Sequence, residues 1–308
     1  MPISNLFVMK KFILKVCLFF AVLFIIDRIV GIIGNYVACN IHSGVYGRDN
    51  YIGNEATEDI LVFGSSRAVH HYNAPMLADS LGLSCYNCGD DGCGIVLAYG
   101  RLLLNIERHS PKIIIQDVYP PNDVALGDNS RYIGLLKTFY HRIGISDMFE
   151  SIDKTQKIKM LSNLYKFNGK LHHMSFVYLF PRPSEDGLQG FRPSISVMDT
   201  MKIVKKYQEP IYEVDSQKLE YVNKFIDCAG DAKVFFVVSP IWYGMNTQNL
   251  KPIMDICKKR NVAFFDFSND PKYVHNNMFF HDGAHLNADG ADEFTKDLIK
   301  LIRKEFQE

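Results

Sequence analysis

The chain has 308 residues, of which 47% are hydrophobic, so it can bury one large core, or one core and an insertion, and is not a disordered chain. Its 34 basic residues balance its 34 acidic residues, and no run of lysine and arginine is long enough to follow a phosphate backbone. Nucleic acid is therefore excluded as an expected partner.

Residues 1–34 are predicted to form an N-terminal membrane anchor. Three lysines precede or begin an apolar stretch at 12–33 that Asp27 and Arg28 interrupt. As a helix this stretch is about 33 Å long, which is enough to cross a bilayer. The apolar residues 16–26 alone would suit a signal peptide, but no Ala-x-Ala cleavage site follows. An uncleaved anchor is therefore favoured over cleavage, and over lipidation at Cys39.

Asp27 and Arg28 count against a simple span, since each would cost about 2 to 3 kcal/mol at mid-bilayer and less near an edge. The lysines should keep the N-terminus in the cytoplasm, which makes the catalytic domain extracytoplasmic, either periplasmic or at the cell surface. Residues 35–58 are polar with scattered glycine and asparagine, and are predicted to be a stalk and an entry loop without a core.

From residue 59 the apolar pattern alternates between the periods of strands and helices. Strands at 60–63, 84–87 and 112–118 alternate with helices at 74–83 and 95–107, and after residue 216 further helices are predicted at 217–229, 250–259 and from 287 or 289 to about 304, with strands at 233–239 and 262–267. Continuous apolar strands between helices predict an α/β fold with a buried parallel sheet. Five strands in the flavodoxin-like order 2-1-3-4-5 fit a three-layer α/β/α domain over 59–308.

Residues 124–215 interrupt this alternation with segments rich in tyrosine, phenylalanine, histidine and proline. About ninety residues is far longer than an ordinary loop, so the segment is predicted to be an inserted lid, or cap, over the site, where the substrate is selected. A packed helical insertion that does not contact substrate is the alternative.

Three residues that can perform acyl chemistry fall at predicted strand ends, where ligands sit in sheets of this kind. Ser66 follows the first strand, and Asp282 and His285 lie three residues apart just before the last helix. A serine hydroxyl is a weak nucleophile that needs a base within hydrogen-bond reach, oriented by a third group. His285 would take the proton from Ser66, and Asp282 would hold the other ring nitrogen.

This set of residues resembles the SGNH, or GDSL-type, hydrolase family. Asp-x-x-His at 282–285, followed by Leu-Asn-x-x-Gly at 286–290, matches that family's last conserved block, and Gly-Ser-Ser at 64–66 stands where the family has Gly-Asp-Ser. The pattern looks like the membrane-anchored, cell-envelope branch, whose nucleophile block often reads Gly-Ser-Ser or Gly-Asn-Ser. The resemblance covers about 59–122 and 233–301 and implies the SGNH hydrolase fold.

The alignment of Gly64 with the family's glycine places Ser66 on the family's serine, at the start of a predicted helix. The amide of Ser66 would then point toward the developing oxyanion. Ser65 and Ser239 are competing hydroxyls for the nucleophile. A mere helix-capping role for Ser66 is the other interpretation.

The resemblance also implies an oxyanion hole that Ser66 shares with Gly92 and Asn122. Gly89 is the second candidate for the glycine, since either glycine could simply turn the chain. Asn122-Asp123 matches the last two residues of the family's Gly-x-Asn-Asp, but the glycine is absent and two prolines precede the asparagine. An ordinary Pro-Asn turn is the alternative at this position.

The residues after the nucleophile, Arg67, His70 and His71, are predicted to form a solvated face, with contact to an anionic or sugar substrate as the alternative. Seven cysteines are predicted to be mostly small core residues, although a disulfide between Cys88 and Cys93 is an alternative in an oxidising compartment. No ligand set at metal spacing accompanies the histidines, so neither a metal nor a cofactor is expected.

The leading hypothesis is a serine esterase that acts through an acyl-serine intermediate. The resemblance implies that it removes acetyl or another short acyl group from envelope carbohydrate, glycan or lipid. If a sugar hydroxyl rather than water resolves the intermediate, the same site is an O-acyltransferase. A catalytically inert glycan-binding or assembly protein is the alternative from a different class.

Overall fold

The computed structural model describes residues 3–181, 187–199 and 209–306. Its strands are β1 (Ile60–Phe63), β2 (Cys85–Asn87), β3 (Ile113–Asp117), β4 (Lys233–Val238) and β5 (Ala263–Asp266). They form one five-stranded parallel sheet in the order β2-β1-β3-β4-β5, which confirms the predicted flavodoxin-like order. In the register, Ile60 of β1 lies opposite Cys85 of β2 on one side and Ile113 of β3 on the other.

α-Helices pack on both faces of this sheet, and further helices lie outside these layers. In chain order they are α1 (Ile3–Asn40), α2 (Gly44–Asn54), α3 (Ser66–His71), α4 (Ala74–Leu81), α5 (Ile95–Ile106), α6 (Pro120–Asp123), α7 (Ile145–Ile152), α8 (Gln156–Lys159), α9 (Asn163–Phe167), α10 (Leu171–Leu179), α11 (Ser216–Cys228), α12 (Lys251–Arg260) and α13 (Ala288–Glu305). Short 3₁₀ helices occupy Asn129–Arg131, Ile133–Phe139, Thr247–Asn249 and Asn277–Phe279.

Two apolar cores, one on each face of the sheet, give the domain three layers. Leu61, Ile114 and Phe236 pack with α5, α11 and α12, whereas their strand neighbours Ile60 and Phe235 pack with α3, α4 and α13. Because both faces are buried, the strands are apolar at nearly every position instead of at alternate ones. The predicted element bounds differ from the observed ones by a residue or two.

The N-terminal helix α1 is 38 residues long, or about 57 Å, and among the described residues it is the one helix long and apolar enough to cross a membrane. From residue 7 to residue 26 its side chains are exposed, apart from the partly covered Val16. From Asp27 onward one side of the helix is buried against the rest of the protein. This arrangement supports the predicted membrane anchor.

Residues 35–58 differ from the predicted stalk and entry loop. Helix α1 continues to Asn40, and α2 packs against α5 with Ile52 fully buried. The helix is hard to recognise in the sequence because its buried face also carries Arg48, Asp49 and Asn50, which are polar residues with partners elsewhere in the fold. Composition alone therefore made a packed segment look solvated.

The predicted lid at 124–215 divides into two parts. Its short helices up to α10 pack against α1, α2, α5 and α11. Residues 187–199 run beside the second half of α3 and the start of α13. Residues 182–186 and 200–208 of the predicted lid lie outside the described residues.

Candidate active site

Ser66, His285 and Asp282 lie together at the carboxyl edge of the sheet, in one chain of hydrogen bonds. The Ser66 Oγ lies 2.8 Å from the His285 Nε2, although the two residues are 219 positions apart in the sequence. The His285 Nδ1 lies 2.9 and 3.0 Å from the two carboxylate oxygens of Asp282. The arrangement has the geometry that the sequence prediction of a nucleophile, a base and an orienting carboxylate requires.

The turn between β1 and α3 brings Ser66 to this edge. Gly64 adopts a φ of +145°, which favours glycine, and a Cβ added there would lie 2.8 Å from the Cβ of Asp117 and 2.9 Å from that of Ala68. Ser65, and not Ser66, caps α3, since its Oγ accepts the Arg67 amide at 3.3 Å. The helix-capping interpretation of Ser66 is therefore wrong, and its hydroxyl is free to meet His285.

The loop that carries Asp282 and His285 is organised by its own hydrogen bonds. The Asp282 Oδ1 accepts the amides of Ala284 at 2.8 Å and of His285 at 2.9 Å. Asn287 then caps α13 by accepting the Gly290 amide at 2.9 Å, and a Cβ at Gly290 would lie only 2.1 Å from the Phe279 carbonyl oxygen. These contacts give a physical reason for the Asp-x-x-His-Leu-Asn-x-x-Gly spacing.

The protonation of Asp282 suits its contact with His285. Partial burial by itself would raise the pKa of the Asp282 carboxyl, but hydrogen bonds from the His285 ring and from two backbone amides outweigh it and lower the pKa to about 2. An ionised carboxylate can only accept, so the His285 Nδ1 carries the proton. The Nε2 lone pair is then available to accept the Ser66 hydroxyl proton.

A second polar cluster lies directly behind these residues and is closed to solvent. Ser239 at the end of β4 accepts hydrogen bonds at its Oγ from the Arg67 Nε at 3.1 Å and from the His71 Nδ1 at 2.8 Å. On the far side of its ring, the His71 Nε2 accepts the Leu286 amide at 3.0 Å. Asp117 lies beside Arg67 and accepts the Tyr72 hydroxyl at 2.7 Å. This hydrogen-bond network joins α3 and β4 to the loop of His285.

The predicted solvated face after Ser66 is wrong for two of its three residues. Arg67 is 1% exposed and His71 is fully buried, because α3 is enclosed between the sheet and α13. Burial lowers the pKa of His71 well below its usual value, so its ring stays neutral and its Nε2 can accept. Ser239 is buried and engaged in the same cluster, which removes it as a competing nucleophile.

Of the two glycines considered for the oxyanion hole, Gly92 has the available amide. The Gly89 amide donates to the Asn87 Oδ1 at 3.1 Å. Gly92 is exposed and has a φ of +69°, and no described residue accepts a hydrogen bond from its amide. Asn122 lies in a helical turn, α6, instead of an ordinary Pro-Asn turn, and its Nδ2 donates to the Cys93 carbonyl at 3.1 Å. No hydrogen bond within the described ranges joins Gly92 or Asn122 to Ser66.

The loop that carries Gly92 is held by buried charges that sequence reasoning missed. The Arg101 Nη2 lies 2.6 Å from both Asp49 of α2 and Asp90 of the loop, and its Nη1 donates to the Cys88 carbonyl at 2.7 Å. The Asp90 amide in turn donates to the Gly64 carbonyl at 3.0 Å. Helix α2 is therefore connected through Arg101 to the turn before Ser66. The three residues come from separate segments, and no local spacing signals them.

Residues 187–199 form one rim of the site. The His70 Nδ1 lies 2.5 Å from the Arg192 carbonyl, and the Arg192 guanidinium lies 3.2 Å from the Asp91 carboxylate. The Ala288 amide at the start of α13 donates to the Ser194 carbonyl at 2.7 Å. This part of the predicted lid therefore lies beside Ser66 and His285, where it can contact a substrate.

The remaining candidates for special chemistry are the cysteines and histidines. All seven cysteines are free thiols, including Cys88 and Cys93, and Cys85, Cys88 and Cys257 are buried. Burial raises the pKa of Cys93 to about 12, so its thiol is not reactive. Within the described ranges, no group of three or more histidine, cysteine, aspartate or glutamate side chains could hold a metal ion.

Comparisons with known proteins give no family for this chain. No protein-family model matches it, and no curated protein matches it significantly in sequence. The resemblance to SGNH hydrolases therefore rests on the short motifs around Ser66 and His285 and stays a prediction. The physical case for a site at the carboxyl edge of the sheet rests on the geometry of these side chains.

Proposed function

We propose that the protein is a serine hydrolase of the SGNH type that cleaves oxygen esters through an acyl-serine intermediate. The observation that carries the proposal is the continuous hydrogen-bond chain from the Ser66 Oγ through the His285 ring to the Asp282 carboxylate. The three side chains are only partly buried, so a substrate can reach them. A purely structural cluster would not need an accessible hydroxyl at this position.

In the first half of the reaction, Ser66 attacks the acyl carbon while the His285 Nε2 takes the hydroxyl proton. Asp282 keeps its negative charge and stabilises the imidazolium. When the tetrahedral intermediate collapses, His285 gives the proton to the departing alcohol oxygen, and the acyl group remains on Ser66. A second hydroxyl, activated by the same nitrogen, then attacks the acyl-serine and regenerates the free enzyme.

The negative oxygen of the tetrahedral intermediate needs hydrogen-bond donors, each typically worth about 3 kcal/mol in the transition state. The Ser66 and Gly92 amides are the donors that we assign, with the Asn122 side chain as the third. Asn122 gives one of its two Nδ2 hydrogens to Cys93, which leaves one for the oxyanion. A rotation of this side chain on substrate binding would complete the set.

The substrate class that we propose is an O-acyl ester, acetyl in the first instance, of carbohydrate or lipid in the cell envelope. An apolar helix that can anchor the protein to a membrane supports this location, with the catalytic domain on the extracytoplasmic side. Water as the second hydroxyl makes the protein an esterase, and a sugar hydroxyl makes it an O-acyltransferase.

A fluorophosphonate serine probe on the purified full-length protein tests the nucleophile. The wild type should be labelled, and Ser66→Ala should not be. Ser65→Ala is the matched control, because Ser65 is adjacent, buried and bonded to the Arg67 amide instead of to His285. Labelling of Ser66→Ala to the wild-type level would refute the proposal, as would a folded wild type that never reacts with the probe.

A second measurement separates hydrolysis from transfer. The wild type is incubated with an acetylated glycan, with and without a deacetylated acceptor glycan, and free acetate and acetylated acceptor are both quantified. An esterase releases the same acetate in both reactions. A transferase gives acetylated acceptor and releases less free acetate when the acceptor is present.

A further inference from the structure

The apolar helix α1 meets the insertion through a polar contact at Asp27. The Asp27 Oδ1 accepts the Ser162 hydroxyl at 2.7 Å and the Leu164 amide at 2.8 Å, and its Oδ2 accepts the Asn163 Nδ2 at 3.1 Å. The neighbouring Arg28 donates to the Leu161 carbonyl at 3.0 Å. The charges that interrupt the apolar stretch therefore have partners at the start of α9.

Two glycines of α1, on the C-terminal side of this contact, let α9 pack closely against α1. A Cβ at Gly31 would lie 2.5 Å from the Asn163 side chain, and a Cβ at Gly34 would lie 2.6 Å from the Phe167 ring. Small residues that let helices approach this closely are typical of packing within membranes. The position of residues 160–167 along the axis of α1 is therefore fixed.

With the apolar stretch of α1 across a bilayer, this position would put the start of α9 at the depth of a lipid leaflet. Asp27 lies six residues before the end of the apolar stretch at 12–33, which is about 9 Å along the helix. Interfacial elements embed their apolar faces about 5 to 10 Å into a leaflet. Tyr36 lies about one turn of α1 beyond the end of this stretch, and its ring centroid is 6.0 Å from that of Tyr178 on α10. Tyrosine is enriched at the headgroup level.

The side chains that surround the polar contact have the composition of a lipid-facing surface. Ile158 and Leu161 are each 74% exposed and Leu164 is 41% exposed, although all three are large and apolar. The exposed Lys154 and Lys157 flank them and can reach anionic headgroups. On the other side of α1, Ile29, Ile32 and Ile33 are also apolar and exposed at this level of the helix.

We propose that Ile158, Leu161 and Leu164 form an apolar patch that is embedded in the lipid leaflet next to the globular domain. The partner is the phospholipid surface itself. The patch and α1 would then hold the protein to the membrane at two places, which restricts the tilt of the globular domain about α1. The inference needs only the membrane anchor and is independent of the hydrolase function.

Quenching of tryptophan fluorescence by brominated lipid tests this proposal on the full-length protein in vesicles. Trp242 is the one native tryptophan and provides the baseline. Leu161→Trp should lose about half or more of its added emission in phosphatidylcholine brominated near the headgroup, because its ring would lie within the leaflet. Met254→Trp, at an exposed position on α12, is the matched control and should lose none.

Ile158→Trp provides a second reporter in the same patch, should Leu161→Trp fail to fold by circular dichroism. If both patch variants are folded and keep their added emission in brominated vesicles, the proposal is wrong. If their emission is unquenched and the protein is dimeric in nanodiscs, a second copy of the chain covers the patch instead of lipid, which also overturns the proposal.

Discussion

Two neighbouring clusters of polar side chains differ in their access to solvent: an open cluster that contains Ser66, and a closed cluster directly behind it. Ser66, Asp282 and His285 are partly exposed, whereas every member of the cluster behind them, Arg67, His71, Asp117 and Ser239, is at most 1% exposed. The difference predicts that the open cluster performs the chemistry and that the closed cluster has a structural role. The open cluster can exchange protons with a substrate, and the closed cluster can only hold its neighbours in place.

The sharpest test of this division is the removal of the nucleophile in the open cluster. Ser66→Ala should lower the rate of hydrolysis of a chromogenic acetate ester by about 10⁴-fold or more while the melting temperature stays unchanged, because the Ser66 hydroxyl does not cap α3. Ser65→Ala should do the reverse, keeping activity and losing about 1 kcal/mol of stability with the helix cap. A Ser66→Ala protein that hydrolyses the ester at the wild-type rate would show that Ser66 is not the nucleophile.

The closed cluster should respond in stability. Arg67→Met leaves the buried Asp117 carboxylate without its cationic neighbour, whose charge offsets the burial that raises the pKa of Asp117. We expect a loss of about 3 to 5 kcal/mol in the free energy of unfolding, measured by urea denaturation. The double variant Arg67→Met, Asp117→Asn should recover part of this loss, since no buried charge then remains. An equal or greater loss in the double variant would contradict this account.

His71 connects the two clusters, and its variant should affect both. His71→Phe removes the acceptor of the Leu286 amide and the donor to Ser239, which should cost about 1 to 3 kcal/mol of stability. It should also lower kcat more than it raises KM, because Leu286, whose amide loses its acceptor, is adjacent to the base His285 on the same loop. His109→Gln is the control, since the His109 ring contacts the Glu58 carbonyl before β1, at the opposite edge of the sheet from His285. Equal activity in His71→Phe and wild type would show that the loop of His285 needs no such support.

The smallest expected effect is the pH dependence of stability from Asp282. Its pKa is lowered from 3.8 to about 2 in the folded protein, so the unfolded chain binds its proton more readily. The stabilisation is therefore present above about pH 4 and is lost as the pH falls toward 2. Thermal unfolding of the wild type and of Asp282→Asn across this range should show the steeper decline in the wild type. Parallel curves would contradict the assigned protonation.

The sheet and the open cluster were largely predictable from the sequence. Strands buried on both faces carry runs of consecutive apolar residues, as β3 does at 113–115 and β4 at 234–238, and this signal is local. Asp282 and His285 are also a local signal, because a three-residue spacing fixes both on one loop. The meeting of His285 with Ser66 follows from the parallel order of the strands, which brings their carboxyl ends to one edge.

The buried polar residues were not predictable in the same way. Arg67 and His71 were expected in solvent and Arg48 and Asp49 on a stalk, because charged residues are rarely fully buried unless they are paired. Their partners, such as Ser239 for Arg67 and Arg101 for Asp49, come from distant parts of the chain. No pattern within a single segment could have signalled such pairs.

By itself, the sequence determined the five strands, the main helices of the sheet domain and the pairing of Asp282 with His285, because each depends on periodicity or short spacing. The tertiary structure alone decided which charges are buried, that Ser65 caps the helix while Ser66 faces His285, and that α2 and the insertion pack against the domain. These outcomes depend on contacts between residues far apart in the chain, and such contacts exist only once the chain has folded.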